Sequence, residues 1–594
     1  MVTYKGAEII VEYLLRERVP YLFGTCGHGN LGLLDALFDH QDEIRTVLVH
    51  HESVAGFMAD AYFRVAHRPV ATYSSCGPGT ANMPVALASA LMDSSALLAL
   101  TGNVPTSQFS RGPFQELGRH HQADVTTALR PYVKHSYQAT RPEQLPLMLR
   151  QAFGTMLTGR PGPVHLDVPL DVWVEAADVE IPDPRSWRDG ITSGTAPAQE
   201  LVGQVLHLLL SAERPVIVAG HGVEIAQAEA DLRAFAEAVG IPVAVTPLGK
   251  GVMDMRSPLS LGQTGRNGTY MANQSTRTAD VILALGTRFD DRSTSSWMPG
   301  YTYDIPPTRL IHVDIDPQEI GRNYPPAIGV VADARATLRA LRARISGRAD
   351  ADPAHRAPWR ERIATWRAEW TRATQPGRIS DAVPIHPQRV LADLRAVLPA
   401  EGILLSDVGV HHNWIVQEWQ AFEPRTVLQS WGFASMGFGV AGVLGAKLAA
   451  PERPALAVVG DGGFLMLPSV VSTAVEYGIP AVWLVWNNYG FCSIRDQQRG
   501  YFGAERELVT SFRHEASGEL YTPDYAAMAR SMGAEGDMVE KPEDLAGLID
   551  HAVSSGRPYV LDVRVDREIR PPATGSWDLP PLPHPQPDPQ WTGA

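Results

Sequence analysis

Three α/β domains with mainly parallel sheets are the fold class this sequence predicts, and three observations predict it. The chain has 594 residues, more than one hydrophobic core accommodates. Short apolar runs alternate with helical-period segments almost throughout. Two polar stretches interrupt that alternation and divide the chain.

The N-terminal "MVTYKGAEIIVEYLLRERVPYLFG" reads as an amphipathic helix leading into a strand. It lacks the uninterrupted apolar core and cleavage site of a signal peptide. Buried-type strands follow at "TVLVH", "PVATYSS", "ALLALTG" and "PVHLDV", with "ESVAGFMADAYFRV" as a helix among them. The stretch Val179–Gln199, rich in Pro, Gly, Ser and Asp, reads as a linker. A second series contains the helix "QELVGQVLHLLLSA" and the strands "PVIVAG", "VILALG" and "RLIHVDI". The Arg-rich "RISGRADADPAHRAPWRERIATWRAEW" closes it, and a third series holds "GILLSDVG", "ALAVVGDG", "AVWLVWNN" and "YVLDVRV". The expected units are about 1–180, 195–345 and 375–575, with an irregular Pro-rich tail at 576–594.

Composition narrows the function. The net charge is −14 and there is no dense Lys/Arg block, so nucleic acid is not an expected partner. No uncharged apolar stretch reaches the ~18–20 residues of a membrane span. The three cysteines, Cys26, Cys76 and Cys492, form no CxxC pair and indicate neither a disulfide framework nor a zinc site. A small-molecule enzyme of a reducing cytoplasm is the expectation.

The most informative segment runs from Val458 to Phe491. Gly460-Asp461-Gly462 ends one apolar strand, a helix is expected from about Pro468 to Tyr477, and Asn487-Asn488 ends the next strand. In a parallel sheet both strands finish at the carboxyl edge, where open α/β sheets bind ligands. Asp461 and Asn488 are thereby brought together as two hard oxygen donors. Mg²⁺ seeks about six such donors and commonly completes its shell with phosphate and water. Gly462 and Gly463 let the backbone approach a phosphate at a helix N-terminus. Taken singly, Asp461 also reads as a helix cap and the Asn pair as a turn.

Gly460-Asp461-Gly462, 24 residues, then Asn487-Asn488 resembles the signature of the thiamine-diphosphate enzymes. The resemblance implies thiamine diphosphate and Mg²⁺, with Asp461, Asn488 and the Gly490 carbonyl as metal ligands. It also implies Rossmann-like, doubly wound domains: an N-terminal pyrimidine-binding, a central and a C-terminal diphosphate-binding one. Glu52, in "TVLVHHESVAGFMADAYFRV", resembles the family's catalytic Glu, which drives the cofactor's tautomer change from across a subunit interface. A homo-oligomer with active sites between subunits is therefore implied. On its residues alone Glu52 is a first-turn Glu favoured by the helix dipole.

Further segments resemble the acetohydroxyacid (acetolactate) synthase branch. Ser74–Asn82, ending at Asn82, is similar to its Gly-Pro-Gly loop, and "GPFQE" places Gln115 near the thiazolium. "SDVGVHHNW" puts Gly409 and His411 at the cofactor. "SWGFASMGFG" gives Ala434 and Met436 to the pyrimidine and the cofactor's bent shape. "LGQTGRNGTYMAN" and "LGTRFDDR" resemble segments lining an FAD site, with Arg288 as a phosphate partner. The implied activity is decarboxylation of a 2-keto acid followed by carboligation. "GTCGHGN" departs from that branch and resembles thiamine-dependent cyclic 1,2-dione hydrolases. His28 is open to two readings, a proton shuttle or a hydrogen-bonded loop His, and C–C cleavage of a diketone or 2-hydroxy ketone is the alternative activity. His51, His120 and His121 are lesser candidates. After Asn488, "YGFCSIRDQQ" lacks the synthases' Met-rich, Trp-bearing segment, leaving acceptor choice around Gln497 open.

Overall fold

The computed structural model describes residues 2–116 and 124–577. His120, His121 and the tail from 578 onward lie outside the described residues. Three six-stranded sheets, each parallel throughout, follow one another along the chain. The fold class expected from the alternation is therefore the one observed. One element was not anticipated: Val2–Lys5 precedes the first helix as a strand and pairs antiparallel with Ala176–Val179. That hairpin-like closure joins the two ends of the first domain.

The N-terminal sheet runs Arg45–Leu48, Tyr21–Gly24, Ala71–Ser74, Leu98–Asn103, Val164–Pro169, His135–Gln138. The C-terminal sheet runs Val427–Gln429, Ile403–Ser406, Ala455–Gly460, Ala481–Asn487, Tyr559–Arg564, Glu535–Val539. Numbered within each domain, both have the order 2-1-3-4-6-5. The central sheet runs Ser260–Gln263, Val243–Val245, Pro215–Ala219, Val281–Leu285, Arg309–Asp314, Ile328–Val331, an order of 3-2-1-4-5-6. This is the strand order of dinucleotide-binding domains. The Arg-rich stretch after it forms the helix Ala357–Arg378, which buries Trp359, Ile363, Trp366 and Trp370 against the central domain.

The outer domains share one core. Helix Glu52–Ala66 packs on helix Phe438–Ala449 across a face of small residues: a Cβ added to Gly442 would lie 3.1 Å from Ala61 Cβ. The helices run antiparallel, with Met58 against Gly445 and Arg64 4.7 Å over the Phe438 ring. Arg64 is buried and fully paired, with Asp60 at 2.7 Å, Asp93 at 3.1 Å and the Gln429 carbonyl at 2.6 Å. Such pairing is what makes burial of a charge tolerable.

Candidate active site

Crevices open where neighbouring parallel strands send their connections to opposite faces. In the order 2-1-3-4-6-5 that point lies between strands 1 and 3. In the C-terminal sheet the segments leaving it begin at Asp407, after Ile403–Ser406, and at Asp461, after Ala455–Gly460. Strand 4, Ala481–Asn487, delivers the turn Asn488-Tyr489-Gly490 to the same edge.

Asp461 is the first residue of helix Asp461–Met466 and is 1% exposed. Its Oδ1 accepts the Gly462 N–H at 2.8 Å, and its Oδ2 accepts those of Asn488 (3.1 Å) and Gly490 (2.9 Å). The turn is thus wrapped around the carboxylate, with Tyr489 at φ 62° and Gly490 at φ 144°. A side chain at Gly490 would overlap the Thr510 carbonyl, so this turn requires glycine. Burial pushes the Asp461 carboxyl up to about 6, against those three donors, a strain that a cation beside it would relieve.

The two asparagines divide their work. Asn487 donates to Asp562 at 2.8 Å and to Thr522 at 2.9 Å, a structural bracket. The Asn488 amide, 3% exposed, makes no hydrogen bond to another described residue. Two more buried polar atoms at this crevice are unpartnered among the described residues: His411 Nε2 and Asp407 Oδ2. His411, on helix Val410–Glu418, lies beside Gly409 and Gly460, and burial lowers its pKa to about 4. The other Asp407 oxygen caps helix Phe438–Ala449, accepting from Gly437 (2.9 Å) and Gly439 (3.1 Å). A Cβ on Gly463 would come within 2.5 Å of the free Asp407 oxygen. Buried atoms of this kind ordinarily find partners. Two of them, with the Asn488 amide beside them, at a glycine-lined helix N-terminus fit a bound metal–diphosphate group. Ala434 is held at φ 54°, and Met436 is half-buried where ordinary core packing would enclose it.

The N-terminal sheet repeats the arrangement. Its switch point lies between Tyr21–Gly24 and Ala71–Ser74, which lead into the loops bearing His28 and Cys76. Glu52 begins helix Glu52–Ala66; its Oε2 accepts from Asn82 Nδ2 at 2.9 Å, and Gly79 packs close to its Oε1. Asn82 therefore positions Glu52. Cys76 Sγ is 3.4 Å from His28 Nε2 and 3.8 Å from Gln115 Oε1. His51 caps the Glu52 helix through Nδ1, which accepts the Ser53 N–H at 3.2 Å. Gln497 turns back onto the Ser493 carbonyl of its own helix. Sequence reasoning missed Asp407 and Cys76. The first lay unremarked inside a quoted motif, and the second was weighed only for disulfides and zinc.

One chain holds these two sets of residues apart. His50 Nε2 is 2.9 Å from Glu476, and the Leu48 N–H donates to Tyr477 Oη at 2.8 Å. Glu476 and Tyr477 precede strand Ala481–Asn487 and mark its amino edge. Asp461 and Asn488 are at the carboxyl edge, so the strand's seven residues, on the order of 20 Å, separate them from the Glu52 region.

The central sheet carries its own crevice. Strands 1 and 4 of that sheet end in Gly220-His221-Gly222 and Gly286-Thr287-Arg288, and a cavity of about 850 Å³ opens there. Arg160, Arg335 and Asp314 also line it. Arg288 donates to the Met92 carbonyl at 2.7 Å and lies 3.9 Å from Asp93. Asp93 in turn accepts the Trp431 and Gly432 N–H groups at 3.0 and 2.7 Å. No helix among the described residues is long and apolar enough to cross a membrane.

Three family models match the chain: "Thiamine pyrophosphate enzyme, N-terminal TPP binding domain" over residues 4–124, "central domain" over 202–341, and "C-terminal TPP binding domain" over 407–563. Among curated relatives, a probable acetolactate synthase large subunit of Methanocaldococcus jannaschii is 36% identical over 570 residues, 95% of this chain and 92% of that protein. The acetolactate synthase large subunit of Parasynechococcus marenigrum is 33% identical over 569 residues, 95% and 88% of the two chains. The isozyme 3 large subunit of Escherichia coli is 31% identical over 575 residues, 94% and 95%.

Proposed function

The chain belongs to the thiamine pyrophosphate enzymes, and from that premise we propose that it is an acetolactate-synthase-like carboligase using Mg²⁺. It decarboxylates a 2-keto acid such as pyruvate and joins the retained acyl fragment to a second carbonyl. The observation that carries this reading is the Asn488–Gly490 turn folded around the buried Asp461 carboxylate with the Asn488 amide left free.

When bound, thiamine diphosphate supplies the nucleophilic carbon and the electron sink for loss of CO₂. The residues do the rest. Asp461, the Asn488 amide oxygen and the Gly490 carbonyl would ligate the cation. The Gly463 N–H would face the diphosphate, whereas Gly462 gives its own N–H to Asp461, and Gly409 and His411 would close the other side. Backbone at Ala434 and the Met436 side chain would hold the pyrimidine. Glu52, steadied by Asn82, would hold and release a proton at its own carboxyl beside that ring. Gln115 and His28 face the substrate and orient its carbonyl oxygens. Glu52 and Asp461 lie at opposite edges in one chain, which supports a homo-oligomer in which each site joins the N-terminal domain of one copy to the C-terminal domain of another.

The central cavity would take FAD as a structural group. The 3-2-1-4-5-6 strand order, the cavity at its switch point and the arginines around it support this. The visible spectrum of purified protein tests it: flavin bands are expected, and their absence after reconstitution with FAD refutes it.

The activity is tested by supplying purified protein with thiamine diphosphate, Mg²⁺ and pyruvate. CO₂ release with acetolactate formation is expected. CO₂ without ligation, or cleavage of a diketone without CO₂, overturns the carboligase assignment.

A further inference from the structure

We infer that Cys76 is a positioning residue for this reaction, its thiol fixing which faces of His28 and Gln115 meet the substrate. The inference rests on the proposed carboligation only for its kinetic consequence; the hydrogen bonds are a property of the fold. Cys76 is 2% exposed, whereas His28 and Gln115 beside it are partly exposed. Sγ is within reach of both, 3.4 Å from His28 Nε2 and 3.8 Å from Gln115 Oε1.

A thiol has one proton to give and lone pairs to accept with, and an amide oxygen only accepts. The two shorter contacts are satisfied together when S–H donates to Gln115 Oε1 and His28 Nε2–H donates to Sγ, and Ser75 Oγ–H, 3.9 Å away, then donates to the sulfur's remaining lone pair. Gln115 then turns its amide N–H groups away from the sulfur, as donors for a carbonyl oxygen. His28 turns the bare Nδ1 outward, as a proton acceptor. Burial raises the pKa of the thiol, so its proton stays on sulfur.

The surroundings hold the three segments in register. Gln115 is locked at φ 63°, and its carbonyl packs so closely on Gly77 that a side chain there would overlap it. The Gly29 N–H donates to Ser75 Oγ at 3.2 Å, and Trp173 Nε1–H donates to the Gly29 carbonyl at 3.0 Å. A loop from each of three strand ends is thus gathered around one sulfur atom. Both contact lengths suit sulfur; a serine oxygen, on a shorter bond, reaches each more weakly.

Two measurements on the full-length holoenzyme test this. In the infrared S–H stretching region, wild type minus Gln115→Leu and wild type minus His28→Phe should each show one displaced band, and wild type minus Cys76→Ser should assign it. Cys26 and Cys492 cancel in every difference. In kinetics, Cys76→Ala should lower kcat about tenfold or more through misaligned groups while leaving the KM for pyruvate within a few-fold. Cys76→Ser should recover most of the loss. In a His28→Ala/Gln115→Ala background, Cys76→Ala should cost less than about twofold, because its partners are already gone. An unmoved S–H band, or the same loss in that background, overturns the inference. If wild type shows no activity with pyruvate, the proposed function fails, and the infrared bands alone decide the role of Cys76.

Discussion

Pairing two inactive variants tests whether each site is shared between two copies of the chain. Glu52→Gln keeps an oxygen that accepts from Asn82, so the helix start stays intact while the acid is lost. Asn488→Ala removes an amide that makes no hydrogen bond to another described residue, so it removes the proposed cation ligand at little cost to the fold. Within one chain these positions sit at opposite edges of a seven-residue strand, on the order of 20 Å apart, far beyond the reach of a Glu side chain. Each variant alone is expected to be nearly inactive at a Mg²⁺ concentration just sufficient for wild type. When the two are co-expressed and assort at random, half the dimers are hybrids, each with one intact and one doubly defective site. About a quarter of wild-type activity per chain should then return, as the symmetry of a two-fold interface requires. The assay is CO₂ release from pyruvate by the unfractionated mixture, and by tandem-tag-purified hybrid, for which the same symmetry raises the expected activity to about half of wild type. Activity no greater than the sum of the two parents would refute the shared site.

Other outcomes follow from the same geometry. Asn488→Ala should raise the Mg²⁺ concentration for half-maximal activity at least tenfold while leaving the melting temperature of the metal-free protein within a few degrees. Burial holds the Asp407 carboxyl at about 7, above its unfolded value of 3.8, so its contribution to stability is present below pH 3.8 and is lost as pH rises through 7. Metal-free Asp407→Asn should therefore melt increasingly above wild type between pH 5 and pH 8, by up to a few kcal/mol at ~1.4 kcal/mol per unit; parallel melting curves across that range would contradict this. Gly445→Ala should destabilise by about 1–3 kcal/mol in denaturant titrations, since the new methyl overlaps the Met58 carbonyl in the shared core. Gly547→Ala, with nothing within 4 Å in helix Pro542–Ser554, should instead be neutral or stabilising by up to ~1 kcal/mol.

Much of this was legible in the sequence, for local reasons. Parallel strands buried on both faces must be continuous apolar runs, so "ALAVV" and "AVWLVW" announce themselves without any knowledge of their neighbours. A carboxylate and an amide at the ends of two such strands meet because parallel strands finish together. The short strand Val2–Lys5 escaped because it pairs with residues 176–179, and nothing local marks a partner so distant. Asp407 and Cys76 escaped for a related reason. An unpartnered oxygen, or a sulfur between an imidazole and an amide, is defined by what surrounds it in space.

By itself the sequence determined the class of the fold, the repeat of α/β units and the family to which the chain belongs. These depend on apolar periodicity and on residue chemistry at strand ends, which neighbouring residues already encode. Only the tertiary structure decided the matching strand order of the outer sheets, the division of work between Asn487 and Asn488, and the distance between Glu52 and Asp461 within one chain. Those depend on how helices Glu52–Ala66 and Phe438–Ala449 pack antiparallel, a contact between segments almost four hundred residues apart. Packing of that kind is set by shape complementarity across the whole core, which no local pattern records.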